Sequence, residues 1–201
     1  MKNKYETAWQ QKKAEVFWGE LAPSENLIQI YEDDEVFLNS LEAFVYAGIE
    51  ADEVAIVIAT PSHLNALSGG LLLKGVNMHA AREADLYIPI DANKALAEFM
   101  VYGSPDEALF KKFISGLIER AKGRRIRALG EMVALLWGQG FRSATVKLEG
   151  LWNSLCHEGV FCLFCAYPNN RLSMDSRESI EDIRKQHSRV IAGWNARQIM
   201  S

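Results

Sequence analysis

The sequence predicts an α/β fold in which a largely parallel sheet is covered by helices on both faces, as three layers. From residue 26 onwards, apolar runs of strand length alternate with longer segments of helical periodicity. The run EVAIVIAT at 53–60 is almost entirely apolar and β-branched, which is typical of a strand buried on both sides. This alternation favours parallel strands joined by helical crossovers.

The elements follow in one series. A strand at 26–31 leads into an acidic cluster, Glu32 to Glu35, which opens a helix with one apolar face. Pro61 suits the first turn of a helix over 61–73, and Pro89 predicts that the strand 85–91 lies at an edge or ends early. The later elements are helices at 92–103, 105–123, 131–137, 143–159 and 176–190, and strands at 125–129 and 160–167.

The length of the chain and its net charge limit the number of domains and the class of partner. A chain of 201 residues suits one domain, and we expect it to span 21–201 after a helical N-terminal extension over 1–20. The net charge of −4 argues against a nucleic-acid-binding face. The basic cluster Lys122, Arg124, Arg125 and Arg127 is interpreted as the solvated start of a strand. No signal-like or membrane-spanning stretch is found, so we expect a cytoplasmic protein.

Several chemistries lack the residues they need. A phosphate-binding loop needs glycines and a lysine, but the chain has no Gly-Lys pair, and the loop TPSHLNAL after the second strand has neither residue. The serine-hydrolase elbow G-x-S-x-G is also absent. Cys162 and Cys165 lie three apart on a strand and therefore point to opposite faces. We accordingly expect no metal and no cofactor.

Seven blocks of the chain together resemble a known family. They are QIYEDDEVFL, EVAIVIATPSHLNAL, DLYIPIDANKALAEFMVYGSPD, RIRALGEMVALLW, LEGLWNSLC, FCLFCAYP and QHSRVI, in that order over residues 27–191. The series is similar to the MEDS domain, the sensory domain of methanogen and methylotroph proteins that include the dichloromethane-responsive repressor DcmR.

The resemblance implies a fold like that of RecA-like and KaiC-like ATPases without their phosphate-binding loop. It also implies a non-catalytic sensory domain that binds a small hydrocarbon derivative or related metabolite. Such a domain relays the signal to a regulatory partner, such as a histidine kinase or a transcription regulator. No output module is recognisable here, so we expect any output to pass through a partner chain or an unassigned surface, and a homo-oligomer is a further expected assembly.

Two alternatives remain open. One is a cryptic nucleotide-binding protein or hydrolase in which Glu131 acts as general base. The other is a ligand-independent interaction module that regulates a kinase or a transcription factor.

Candidate ligand-binding residues follow from the strand ends, because open α/β sheets bind ligands outside the carboxyl ends of their strands. For each candidate, the alternative is a role as helix cap, turn or core residue. The candidates are Tyr31, Glu32, Asp33, Thr60, Pro61, His63, Asp91, Glu131, Trp137 and Tyr167.

Overall fold

A computed structural model describes residues 18–159, 161–169 and 187–192. Its strands are β1 (Asn26–Tyr31), β2 (Val54–Ala59), β3 (Tyr87–Asp91), β4 (Met100–Val101), β5 (Ser104–Pro105), β6 (Ile126–Gly130), β7 (Cys162–Pro168) and β8 (Arg189–Ala192). Its helices are α1 (Asp34–Glu50), α2 (Pro61–Leu73), α3 (Met78–Glu83), α4 (Ala92–Phe99), α5 (Glu107–Ala121), α6 (Met132–Gly138) and α7 (Arg142–His157).

The main sheet has six strands in the order β3-β2-β6-β7-β1-β8. Every neighbouring pair in this sheet is parallel. The position of β3 at one end confirms the edge strand that Pro89 predicts. The predicted likeness to RecA-like and KaiC-like proteins is finer than this topology and stays a prediction.

Two apolar cores lie on opposite faces of the sheet. Along β2, Val54, Ile56 and Ile58 belong to one core and the alternate residues belong to the other, as the two-residue period of a strand requires. Helices α1, α2 and α3 cover one face, and α4 to α7 cover the other. The predicted three-layer α/β fold is therefore confirmed.

Helix starts follow local capping chemistry. Five helices begin after a side chain that accepts a hydrogen bond from a backbone N–H of the first turn, which otherwise lacks a partner. These caps are Asp33, Thr60, Asn77, Asp91 and Asp106. Their positions explain why most helix starts are predictable from sequence.

Three parts of the secondary structure differ from prediction. The helix expected over 92–103 ends at Phe99, because Tyr102 and Gly103 adopt φ values of 47° and 78° and turn the chain into the β4–β5 hairpin. Helix α3 is present in the structure but is not among the predicted helices. The helix expected over 176–190 is wrong at its end, where Arg189–Ala192 pairs with β1 as a strand; long-range pairing overrides local propensity there.

Two predictions fall largely outside the described residues. These are residues 1–17 of the expected N-terminal extension and most of the predicted last helix. Within the described part of the chain, no helix is long and apolar enough to cross a membrane.

Arg127 departs from its interpretation as a solvated residue. Its side chain is 1% exposed and donates through Nε to Glu53, and Nη1 donates to the Trp18 carbonyl at 2.5 Å. A Cβ at Gly48 would lie 2.8 Å from Arg127 Cδ, so glycine makes room for the guanidinium arm. The basic cluster is therefore partly internal, since a buried charge persists when it is paired and hydrogen-bonded.

Candidate functional site

The carboxyl ends of β2 and β6 lie side by side, with Ile58 opposite Gly130. The chain leaves β2 into α2, which packs on one face of the sheet, and leaves β6 into α6, which packs on the other. Connections that diverge in this way open a crevice at the strand ends, which is where open α/β sheets bind ligands.

Glu131 lies at these strand ends, directly after β6. Its side chain is only 7% exposed. Oε2 accepts a hydrogen bond from the Thr60 backbone N–H at 2.6 Å, and Oε1 is bonded to Nδ1 of His63. The Glu131 side chain does not cap α6. Both carboxylate oxygens are therefore held by groups that come from the β2–α2 connection.

His63 connects this carboxylate to α1. Its side chain is 15% exposed, and Nε2 lies 3.9 Å from Asp34 Oδ2. The hydrogen bond with Glu131 raises the pKa of His63 above its ordinary value of 6.5, burial opposes this rise, and the charges of Glu131 and Asp34 add to it. The imidazolium form is favoured because negative groups face both ring nitrogens.

Local chemistry sets the position of His63. Thr60 has extended backbone angles and caps α2, its Oγ1 accepting from the His63 backbone N–H at 3.5 Å. Pro61 fills the first turn, where its missing N–H carries no penalty. The first turn of α2 therefore presents the imidazole to the neighbouring strand end.

Aromatic rings extend the site to the end of β1. The Phe37 ring meets His63 edge-on at 5.1 Å between centroids. Tyr31 stacks on Phe37 at 4.8 Å and 14°. Tyr31 and Phe37 are buried. The site thus combines a polar pair with an apolar wall and spans the ends of three strands.

The model of the family described as "MEDS: MEthanogen/methylotroph, DcmR Sensory domain" matches residues 27–188. The chain belongs to the MEDS family. Comparison with curated proteins found no match. Since MEDS is a family of sensory domains, this MEDS protein has a sensory, signalling role.

The structure brings together four of the ten predicted candidates: Tyr31, Thr60, His63 and Glu131. Sequence reasoning missed Asp34 and Phe37 as members of this group. Their spacing of three residues, in the first turn of a helix that directly follows a strand end, is the signal that could have identified them.

The other candidates lie elsewhere or fill structural positions. Asp33 and Asp91 cap α1 and α4, and exposed Glu32 accepts from Asn169 Nδ2 at 3.3 Å. Trp137 is buried beneath the Arg142 guanidinium, 4.1 Å from the ring centroid.

Tyr167 is also buried and donates to Glu149 in the opposite core from Phe37. Cys162 and Cys165 lie in different cores, which confirms that they point to opposite faces of β7.

A surface groove lies apart from the site. It has a volume of about 740 Å³, runs along α1 and is lined by residues that include Trp18, Tyr46 and Lys74. None of its lining residues belongs to the His63–Glu131 site. The groove and the strand-end site are therefore different features of the MEDS fold.

Proposed function

We propose that this MEDS protein senses a small molecule, without chemical turnover, at the site formed by Thr60, His63 and Glu131. One observation carries the proposal: a buried carboxylate and an imidazole are hydrogen-bonded at neighbouring strand ends whose connections diverge. A titratable group with a shifted pKa at such a position, here His63, is a candidate for ligand recognition. The sensory character of the family supports the same role.

The ligand would be a small hydrocarbon derivative or related metabolite with one hydrogen-bond acceptor. His63 Nε2 lies 3.9 Å from Asp34 Oδ2, a contact longer than an ordinary hydrogen bond, so an incoming acceptor would replace a weak partner. The apolar part of the ligand would pack near the edge of Phe37. The ligand would have to be small, because the neighbouring rings of Tyr31 and Phe37 are already buried within the protein.

Signalling follows from the position of α1. A ligand shifts an equilibrium only if it binds one state better than the other. A ligand that replaces Asp34 at His63 removes an attraction between the starts of α1 and α2. The resulting movement of α1 would be the output, read by a partner such as a histidine kinase or a transcription regulator.

The contacts of Glu131 favour sensing over hydrolysis. A general base must present a free oxygen to the attacking water. The two Glu131 oxygens already accept from Thr60 and His63, so an attacking water could bind only at the lone pairs that these partners leave. Nucleotide hydrolysis through Glu131 is therefore the less favoured function. Measured ATP turnover that is abolished by Glu131→Gln would reverse this preference.

Thermal shift with a panel of halogenated methanes, one-carbon compounds and short alcohols tests the proposal. For a compound at 100 times its Kd, the stabilisation is about 2.7 kcal/mol, which corresponds to a rise in Tm of roughly 5–11 °C for a chain of this size. His63→Gln should abolish the shift. His79→Gln is the matched control, because His79 is 80% exposed and its ion pair is with Glu83 on its own helix.

Two results would count against the proposal. The first is a panel without any shift in the unsubstituted protein. The second is a shift that His63→Gln retains in full, which would move binding away from this site.

A further inference from the structure

A second cluster of chemically active side chains lies inside the core formed by α4 to α7. Glu149 comes from the middle of α7, Cys165 from β7, and His187 from the residues just before β8. One ligand atom from each lies within 4.8 Å of the other two. The side chains of Glu149 and His187 are 0% exposed, and Cys165 is 1% exposed. Three side chains from distant parts of the sequence thus meet at one buried position.

One carboxylate oxygen of Glu149 lacks a hydrogen bond among the described residues. Tyr167 donates to Oε1 of Glu149, whereas Oε2 accepts no hydrogen bond from the residues that the structure describes. His187 Nε2 lies 3.8 Å from that oxygen. An acidic side chain with an unsatisfied oxygen is costly to bury unless another group binds it.

The donor set matches a particular class of ion. Thiolate sulfur, imidazole nitrogen and carboxylate oxygen are the ligands of Zn²⁺ in proteins. In a tetrahedral zinc site such atoms lie about 3.3–3.6 Å apart. Since the three atoms lie within 4.8 Å of one another, each pair would have to approach by about 1.5 Å or less, which small side-chain rotations supply. A donor set that includes sulfur and nitrogen does not suit Mg²⁺ or Ca²⁺, because these ions prefer oxygen ligands.

We propose that Glu149, Cys165 and His187 form a buried binding site for Zn²⁺ or a divalent ion of similar ligand preference. Tyr167 is an outer partner that orients Glu149 through its hydrogen bond. Coordination replaces the thiol proton of Cys165, and that proton leaves to solvent as the sulfur–metal bond forms. No oxidation state changes. The site would hold the start of the edge strand β8 against α7 and β7.

The ligands are 16 and 22 residues apart in the chain, without a short metal-binding motif. Cys162, the partner suggested by C-x-x-C, lies in the other core. The proposed site is independent of the sensor proposal, because it shares no residue with the strand-end site.

Cobalt titration of the full-length chain, after removal of metals with a chelator, tests the proposal. Co²⁺ bound to a thiolate gives a charge-transfer absorption band. We expect one equivalent of Co²⁺ to produce this band, Zn²⁺ to displace it, and Zn²⁺ to raise Tm. Cys165→Ser should lose the band. Cys162→Ser is the matched control, since it is buried on the opposite face of the same strand, and it should keep the band.

Further variants separate ligands from neighbours. His187→Gln and Glu149→Gln should weaken Co²⁺ binding, and Tyr167→Phe should weaken it by roughly 10- to 100-fold while keeping the band. Circular dichroism of each metal-free variant shows whether it folds. If Cys165→Ser does not fold, the Co²⁺ affinity of His187→Gln tests the proposal instead.

The proposal is overturned if the unsubstituted protein shows no band, or if a folded Cys165→Ser or His187→Gln variant binds Co²⁺ as tightly as the parent. His63→Gln should bind Co²⁺ normally. Failure of the ligand panel and failure of metal binding are therefore distinguishable.

Discussion

Replacing Glu131 by glutamine removes a negative charge from the strand-end site with almost no change of shape. Glutamine has one acceptor oxygen where the carboxylate has two. It can therefore keep the hydrogen bond from Thr60 N–H or accept from His63, but not both. When its oxygen accepts from Thr60, its amide N–H₂ can bond Nδ1 only if His63 is neutral, so the hydrogen bond to an imidazolium is lost.

The expected loss of stability is that of one hydrogen bond to a charged group. Such a bond contributes about 1.5–3 kcal/mol. At 2–4 °C per kcal/mol for a chain of this size, Tm should fall by roughly 3–12 °C.

The same change alters the titration of His63. The Glu131 hydrogen bond is the largest cause of the raised pKa, and burial acts against it, so the pKa of His63 should fall in Glu131→Gln. A raised folded-state pKa stabilises the protein fully below 6.5, and this contribution is lost as pH rises through the raised value. The stability gap between parent and variant should therefore be wider below pH 6.5 than above the raised pKa.

Two measurements check this prediction: NMR titration of the His63 ring proton, and thermal unfolding across pH. Glu107→Gln is a suitable control, because Glu107 is 59% exposed and pairs with Lys111 on the surface. An unchanged His63 midpoint in Glu131→Gln would refute the reasoning, as would a stability gap that widens with rising pH.

Three further predictions concern the scaffold, each measured by urea unfolding. Glu53→Gln breaks the buried pair with Arg127 and should cost about 3–5 kcal/mol; a loss below about 1 kcal/mol would contradict this. Gly48→Ala places a Cβ 2.8 Å from Arg127 Cδ and should cost about 1–3 kcal/mol. Gly116→Ala has open space and should instead stabilise its helix by about 0.5–1 kcal/mol; equal effects at the two glycines would refute the steric argument. Asp106→Ala removes the cap of α5 and should cost about 1 kcal/mol, whereas no change would mean that the cap is dispensable.

Much of the fold is readable from local sequence. The apolar run of β2, the proline at the start of α2 and the acidic caps act through neighbouring residues, so periodicity and residue type predict them. The end of α4 was not predicted, because the positive φ of Tyr102 is unusual for a residue other than glycine. Strand β8 was not predicted either, because its state depends on pairing with β1, more than 150 residues away in the chain.

The sequence alone determined the series of strands and helices, the absence of a glycine-lysine loop and the resemblance to MEDS. It also placed Thr60, His63 and Glu131 at strand ends. Only the tertiary structure decided that β2 and β6 are neighbours, and hence that His63 meets Glu131 across 68 residues of chain. It likewise decided that Arg127 is internal and that Glu149, Cys165 and His187 converge. The physical reason is that local propensity acts over a few residues, whereas strand order is set by which apolar faces bury each other.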